Sequence, residues 1–340
     1  MKKMTISALI LSLFASSFAI ANEVNIFNAR HYKADAELYS KFTTATGIKV
    51  NLINGKAGAL EKRMIEEGAD SAADLYITAD AGRCGAFKAK GMTQSGLVSS
   101  TIKSSVPKSF RTTHWVGVAK RARIVYYSPE RVSGAELSGL TYESLADPKW
   151  KGRIAIRASS NIYNKSLVAS LVKNNGKKAA GEWAKGVVAN MARDPKGNDR
   201  AQIMAVANGE ADVAVANSYY FGLMLSGKKG EEQQAAARKV ELHFPGQDGR
   251  GAHINVSGAG LMKNAPNADN AVKFIEFLLS EEAQSHIVNN TYEFPMLEGV
   301  APSDLIAQFG SGFKEDQTSV ASYGEFNPDA VKLMDRVGWQ

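Results

Sequence analysis

The sequence predicts an α/β protein of two lobes joined by a hinge, with a ligand cleft between them. Three observations predict it. Short β-prone runs alternate with amphipathic helical runs along most of the chain. Removing a leader of 21 residues from the 340 leaves 319, which suits two cores better than one. A long β-prone run at 115–127 and a second at 254–262 separate the βα units into groups, so the chain crosses twice between them.

The elements follow in order. Met1-Lys2-Lys3 precedes an uncharged run from Ile6 to Phe18 and the small-x-small triplet Ala19-Ile20-Ala21, after which the chain turns polar at Asn22-Glu23. Residues 1–21 therefore read as a secretory signal peptide, too short in its apolar part to span a membrane. No cysteine stands at the cleavage point for a lipid anchor and no twin arginine precedes the apolar run. The mature chain is expected in the periplasm, without stable membrane insertion, as a monomer. Residues 23–29 (EVNIFNA) alternate as a strand, and 35–46 form a helix with Leu38, Tyr39 and Phe42 on one face. Gly47 stops it, 48–52 return as a strand, and 59–67 form a helix ended by Gly68. Residues 74–78 are a third strand, followed by Asp80-Ala81-Gly82. This alternation implies a parallel sheet with helices on both faces, whose ligands sit beyond the carboxyl ends of the strands.

The run 115–127 (WVGVAKRARIVYY) leaves the first lobe. A turn at 147–152 introduces the strand 153–156; 166–174, 177–191 and 199–208 are helical; 211–216 (ADVAVA) is a strand, and 217–220 open the next helix. Residues 254–262 return as a strand, 268–279 and 280–289 are helices, and the tail from 304 is helix and loop. The expected N-terminal lobe is 22–122 with 247–298, and the C-terminal lobe is 123–246 with 299–340.

Composition narrows the function classes. The formal charge of +7 falls to +5 when Lys2 and Lys3 leave with the leader, and the basic residues are dispersed among acidic ones, which argues against a nucleic-acid partner. Cys84 is the sole cysteine, so no internal disulfide can form, and no Cys/His cluster suggests zinc. The five histidines show no HExxH, and no GxSxG or P-loop is present and no GxGxxG follows the first strand, so the catalytic search comes up thin; a triad assembled in space stays open, and the expected reading is a binding protein, not an enzyme.

The tyrosines carry more. Of the eleven, Tyr39, Tyr76, Tyr126 and Tyr142 fall in strand or helix patterns. Others fall where strands end: Tyr32 in Arg30-His31-Tyr32, Tyr163 in the polar loop 159–164, and the pair Tyr219-Tyr220 after ADVAVA. Phenolates are hard anionic oxygen donors that suit a small hard cation such as Fe3+. A tyrosine ordinarily ionises near pH 10, so a trivalent ion binding there displaces protons. Adjacent tyrosines share one metal only where the backbone bends, as it does from strand to helix. The bland reading is that tyrosines fill half-buried positions.

Several segments, in this order and spacing, resemble the ferric-iron-binding periplasmic proteins of ABC importers, in their tyrosine-rich class. They are Asn28-Ala29-Arg30-His31-Tyr32, residues 73–82, Trp115-Val116-Gly117 with Arg121-Ala122-Arg123, residues 145–152, residues 159–164, residues 216–220, residues 251–258 and Thr291-Tyr292-Glu293-Phe294-Pro295. The resemblance implies a type II periplasmic-binding-protein fold with a hinge and an interlobe cleft, and delivery of iron to an inner-membrane ABC permease. It implies that Tyr219 and Tyr220 bind iron, that Tyr163 and Tyr32 match a third and fourth phenolate, and that His31 matches a histidine that ligates in some members. Arg123 matches an arginine near the site, with Arg121 as the alternative register. Phe27 and Phe294 stand where relatives often carry tyrosine. The cargo implied is ferric iron, with ferrous iron the alternative oxidation state. Two other readings remain open: a binding protein of the same fold for thiamine, a polyamine or an oxyanion, which would want carboxylates, aromatic faces or helix N-termini at these loops, and a secreted hydrolase, which would want a serine or an acid pair in the cleft.

Overall fold

The structure, a computed structural model, describes residues 22–30, 32–310 and 312–340. The predicted leader and His31 lie outside the described residues. Eight strands form the sheet: β1 (Glu23–Asn28), β2 (Lys49–Asn54), β3 (Leu75–Thr78), β4 (Trp115–Tyr127), β5 (Ile154–Ala155), β6 (Val213–Asn217), β7 (Glu241–His243) and β8 (Ile254–Leu261). Their order across it is β2-β1-β3-β8-β4-β6-β5, with β7 also paired to β4.

The parallel sheet expected from βα alternation is found at both ends but not in the middle. β1 runs parallel to β2 and β3, and β5 parallel to β6. Between them β8 is antiparallel to β3 and β4, and β4 is antiparallel to β6 and β7. The expectation fails there because β4 and β8 are the crossing strands: a strand that carries the chain out and one that carries it back must run in opposite directions. β4 pairs with β8 from Trp115 to Ala122, then with β6 from Arg123 to Tyr127. One strand of 13 residues thus belongs to both sections of the sheet.

Ten helices concern the site and its supports: α1 (Asp35–Thr46), α2 (Ala57–Glu67), α3 (Ala81–Ala89), α4 (Ile162–Asn190), α5 (Asp199–Ala207), α6 (Tyr219–Leu225), α7 (Ala268–Leu278), α8 (Glu281–Thr291), α9 (Ala321–Glu325) and α10 (Asn327–Arg336). The predicted face of α1 is buried: Tyr39 and Phe42 meet Phe274 of α7 edge-on, with ring centres 5.1 and 5.0 Å away. Each such side chain contributes roughly 2 kcal/mol through burial. β3, β6 and β8 are buried at every residue, as strands covered on both faces must be.

Two local readings are corrected. The separate helices expected at 166–174 and 177–191 abut as one run, broken at Gly176, whose φ of 83° a residue with a Cβ rarely adopts. The polar loop expected at 159–164 ends earlier: Asn161 caps α4 by accepting from the Tyr163 N–H at 3.1 Å, so Tyr163 lies in the helix's first turn.

His253, at the start of β8's approach, is buried with its ring tilted over Tyr323 at 4.8 Å. Burial, aided by the Arg123 and Arg250 charges, pushes its imidazole down to about 3. The unfolded chain takes up that proton near pH 6.5, whereas the folded chain refuses it until about pH 3. Stability from this group is therefore complete above pH 6.5 and falls as pH drops through that window, by up to ~1.4 kcal/mol per pH unit. Replacing His253→Phe keeps a ring over Tyr323 and removes the titration. Urea unfolding at pH 6.5 and 5 should show the variant losing about 2 kcal/mol less than the parent between the two.

Candidate functional site

The strand ends singled out by the tyrosines meet at the seam where β4 changes partners. Two strands end there with their following residues turned inward. After β1 come Arg30 and Tyr32; after β6 come Ser218, Tyr219 and Tyr220. The bend after β6 is held by β4: the Ser218 N–H donates to the Ala122 carbonyl at 2.8 Å, and the Tyr126 hydroxyl donates to the Asn217 carbonyl at 3.0 Å. Helical backbone begins at Ser218, so consecutive side chains are not thrown to opposite faces, and the Tyr219 and Tyr220 rings lie 4.2 Å apart.

Four of the five predicted ligands come together. The hydroxyls of Tyr163 and Tyr219 are 3.3 Å apart, and Tyr32 stands edge-on to Tyr219 with ring centres 6.5 Å apart. Tyr219 is buried and the other three are half-buried. The fifth, His31, is not among the described residues. Phe27 does not face this cluster: it is buried with Leu60, Met64, Tyr76 and Phe87. Phe294 packs against Phe313 at 5.1 Å while its backbone pairs with Lys120.

The supports are two buried carboxylates, each between two arginines. Glu293 lies 2.7 Å from Arg121 Nη2 through Oε1 and 3.0 Å from Arg30 Nη1 through Oε2; Ser257 and Thr291 also donate to it. Asp199 lies 3.2 Å from Arg123 Nη1 and 3.1 Å from Arg157 Nη1, and accepts the Asn217 N–H at 2.8 Å. Arg123 also donates to Asn164 at 2.6 Å, which places the elements carrying Tyr163 and Tyr219 on one guanidinium. Both candidate arginines lie near the tyrosines, in different places. Arg121 stands against the tyrosines, 5.7 Å from the Tyr219 ring centre, whereas Arg123 sits behind them on Asp199. A third buried carboxylate, Asp80, accepts from Ser166 of α4, Asn255 of β8 and the Gly82 N–H, and burial pushes it up to about 6.

Electrostatics follow from this layout. Removal from water raises the Tyr32, Tyr219 and Tyr220 hydroxyls well above 10. The other phenols and Glu293 reinforce that, while Arg121 opposes it for Tyr32 and Tyr219. Tyr32, Tyr219 and Tyr220 are therefore protonated at neutral pH and become anionic only by exchanging protons for a cation. Among the described residues no group of three or more His, Cys, Asp or Glu is arranged to hold a metal. No described helix is long and apolar enough to cross a membrane. Sequence reasoning missed Arg30, Arg157, Asp199 and Glu293. Arg30 and Glu293 lie inside segments already singled out, but nothing in their spacing shows that they pair.

The chain is similar to known proteins in sequence and fold. Residues 70–311 match the family model described as bacterial extracellular solute-binding protein. The chain is 49% identical over 320 residues to iron uptake protein A1 of Synechocystis sp., covering 94% of this chain and 88% of that protein. It is 30% identical to the major ferric iron-binding protein of Neisseria meningitidis, covering 96% of each. Among solved structures, a Trichodesmium protein in complex with iron and citrate superposes with a TM-score of 0.90 at 48% identity, over 94% of this chain and all of that one. The fold is thus that of the two-lobed binding proteins.

The Asp199 junction yields a stability prediction. Asp199→Asn keeps the shape but leaves Arg123 and Arg157 without their counter-charge, which costs about 3–5 kcal/mol for a buried pair. Urea denaturation of the metal-free protein should show a loss of that size; a change below ~1 kcal/mol would mean that the junction does not support the site.

Proposed function

We propose that this chain, which belongs to the bacterial extracellular solute-binding protein family, captures ferric iron in its cleft through the phenolates of Tyr32, Tyr163, Tyr219 and Tyr220. One observation carries the reading: four phenols from three separate segments converge in one half-buried place, with Tyr163 and Tyr219 hydroxyls 3.3 Å apart. Hydroxyls spaced like this can turn toward one small cation, and three phenolates balance a trivalent charge. The similarity to iron-uptake proteins supports the same cargo.

The proposed sequence of events starts on one side of the seam. Iron docks on Tyr163, Tyr219 and Tyr220, in the lobe of residues 123–246 and 299–340. The lobe of residues 22–122 and 247–298 then closes and adds Tyr32, with His31 as a fifth ligand. Tyr32 standing edge-on to Tyr219 supports its joining the same ion. The metal displaces the phenolic protons, and Arg121 offsets the excess negative charge of a fourth phenolate. The closed protein delivers iron to an ABC permease from the periplasmic side, as a monomer, and performs no covalent chemistry. A polyamine site would call for carboxylates facing the ligand, yet Asp199 and Glu293 are already occupied by arginines.

Two measurements test this. Loading with ferric citrate should produce an orange-to-red phenolate charge-transfer band, and Tyr219→Phe or Tyr220→Phe should each weaken binding by more than about 100-fold, beyond the 10–100-fold usual for groups outside the ligand set. Unchanged affinity in both variants would rule out this ligand set. Because burial holds Tyr219 and Tyr220 protonated when metal-free, loading at pH 7 in weak buffer should release protons, and apparent affinity should rise with pH. Tyr219→Phe should release fewer per iron, read with an indicator dye.

A further inference from the structure

Glu293 reaches the tyrosine cluster through two different guanidiniums, as Asp199 does on the other side through Arg123 and Arg157, the latter 5.8 Å from the Tyr163 ring centre. Arg30 leads to Tyr32, its guanidinium carbon 4.7 Å from the ring centre, and Arg121 leads to Tyr219 at 5.7 Å. The remaining contacts of Arg121 are the Ala79 carbonyl and Ser257 Oγ, so its guanidinium is held on several sides. Glu293 is aimed inward by an unusual turn. Tyr292 ends α8 in the left-handed region, at φ 61°, its N–H bonded to Val288 at 3.1 Å. The ring of Tyr292 fits there because α6 carries Gly222 opposite: a Cβ at that position would stand 2.7 Å from Tyr292 Cγ. The helix that bears Tyr219 and Tyr220 thus packs on the residue that orients Glu293.

Charge gives this arrangement a consequence. On this side of the cleft Arg30 and Arg121 are matched by Asp35 and Glu293. Two cations beside a ferric ion would favour its reduction, because one-electron reduction removes one positive charge from the site. The carboxylates cancel that bias. We propose that Glu293 is a positioning residue that fixes Arg121 and Arg30 against the tyrosines and, by its own negative charge, holds the cleft's preference for the trivalent state of its cargo. This rests on the ferric-iron reading above.

The test is a mediated electrochemical titration of the iron-loaded full chain, in which the electrode supplies one electron per ferric ion. In Glu293→Gln a negative charge is lost, and the ferric-to-ferrous affinity ratio should fall at least tenfold, a rise of ~59 mV in potential. Arg121→Gln loses a positive charge and should move the potential the opposite way. The double variant, which loses one of each, should return near the parent value. A general loosening of the site would move both single variants in the same direction. That result, or an unmoved potential in Glu293→Gln, overturns the proposal while leaving the ferric reading intact. If Glu293→Gln does not fold, Arg121→Gln and the double variant decide: the proposal fails unless the first lowers the potential and the second restores it. If the parent chain shows no charge-transfer band with ferric citrate, the ferric reading fails and this inference falls with it.

Discussion

Arg121 and Arg123 are two residues apart on β4, so their side chains leave the same face of the strand, and both are buried. A guanidinium cannot lose its charge, so burying one requires a carboxylate beside it. Arg121 takes Glu293 and Arg123 takes Asp199, and β4 exchanges β8 for β6 between the two. Each carboxylate then recruits a second arginine, Arg30 or Arg157. The two charge clusters stand on either side of the seam, and the segments that carry the tyrosines are tied to them.

From that constraint the phenol cluster follows. Asp199 accepts the Asn217 N–H two residues before Tyr219, and Arg123 binds Asn164 next to Tyr163. Arg30 lies two residues before Tyr32 and is held by Asp35 and Glu293. The tyrosines therefore need no contact with one another to be brought together; their neighbours in the chain are held by the charge clusters. Supports of this kind bond to neighbouring residues and not to the phenol hydroxyls themselves. The Arg121 charge faces Tyr219, whose hydroxyl burial holds protonated, and would favour its ionised form.

Much of the fold was legible in the chain, for reasons that are local. The run 115–127 is a strand over its whole predicted length, and the helix at 35–46 buries the predicted face, because apolar periodicity reports directly on which side is covered. Strand direction was less legible, since βα alternation implies parallel neighbours and carries no sign of a chain that crosses and returns. The sequence leaves Tyr163 one turn outside its helix because Ser, Asn and Tyr have weak helix preference, and only the cap made by Asn161 sets the boundary.

For the site, the residue types and their positions at strand ends are properties of the sequence: a phenol is a hard donor wherever it lies, and a strand-to-helix bend puts Tyr219 and Tyr220 together. Pairing is a property of the tertiary structure alone. Glu293 is 172 residues from Arg121, and Asp199 is 76 from Arg123, separations over which the chain carries no record of contact. Nothing in Arg-Ala-Arg says which arginine faces the tyrosines, because both leave the same face of the strand. That choice is made by which buried carboxylate stands within reach of each, and only the folded chain decides it.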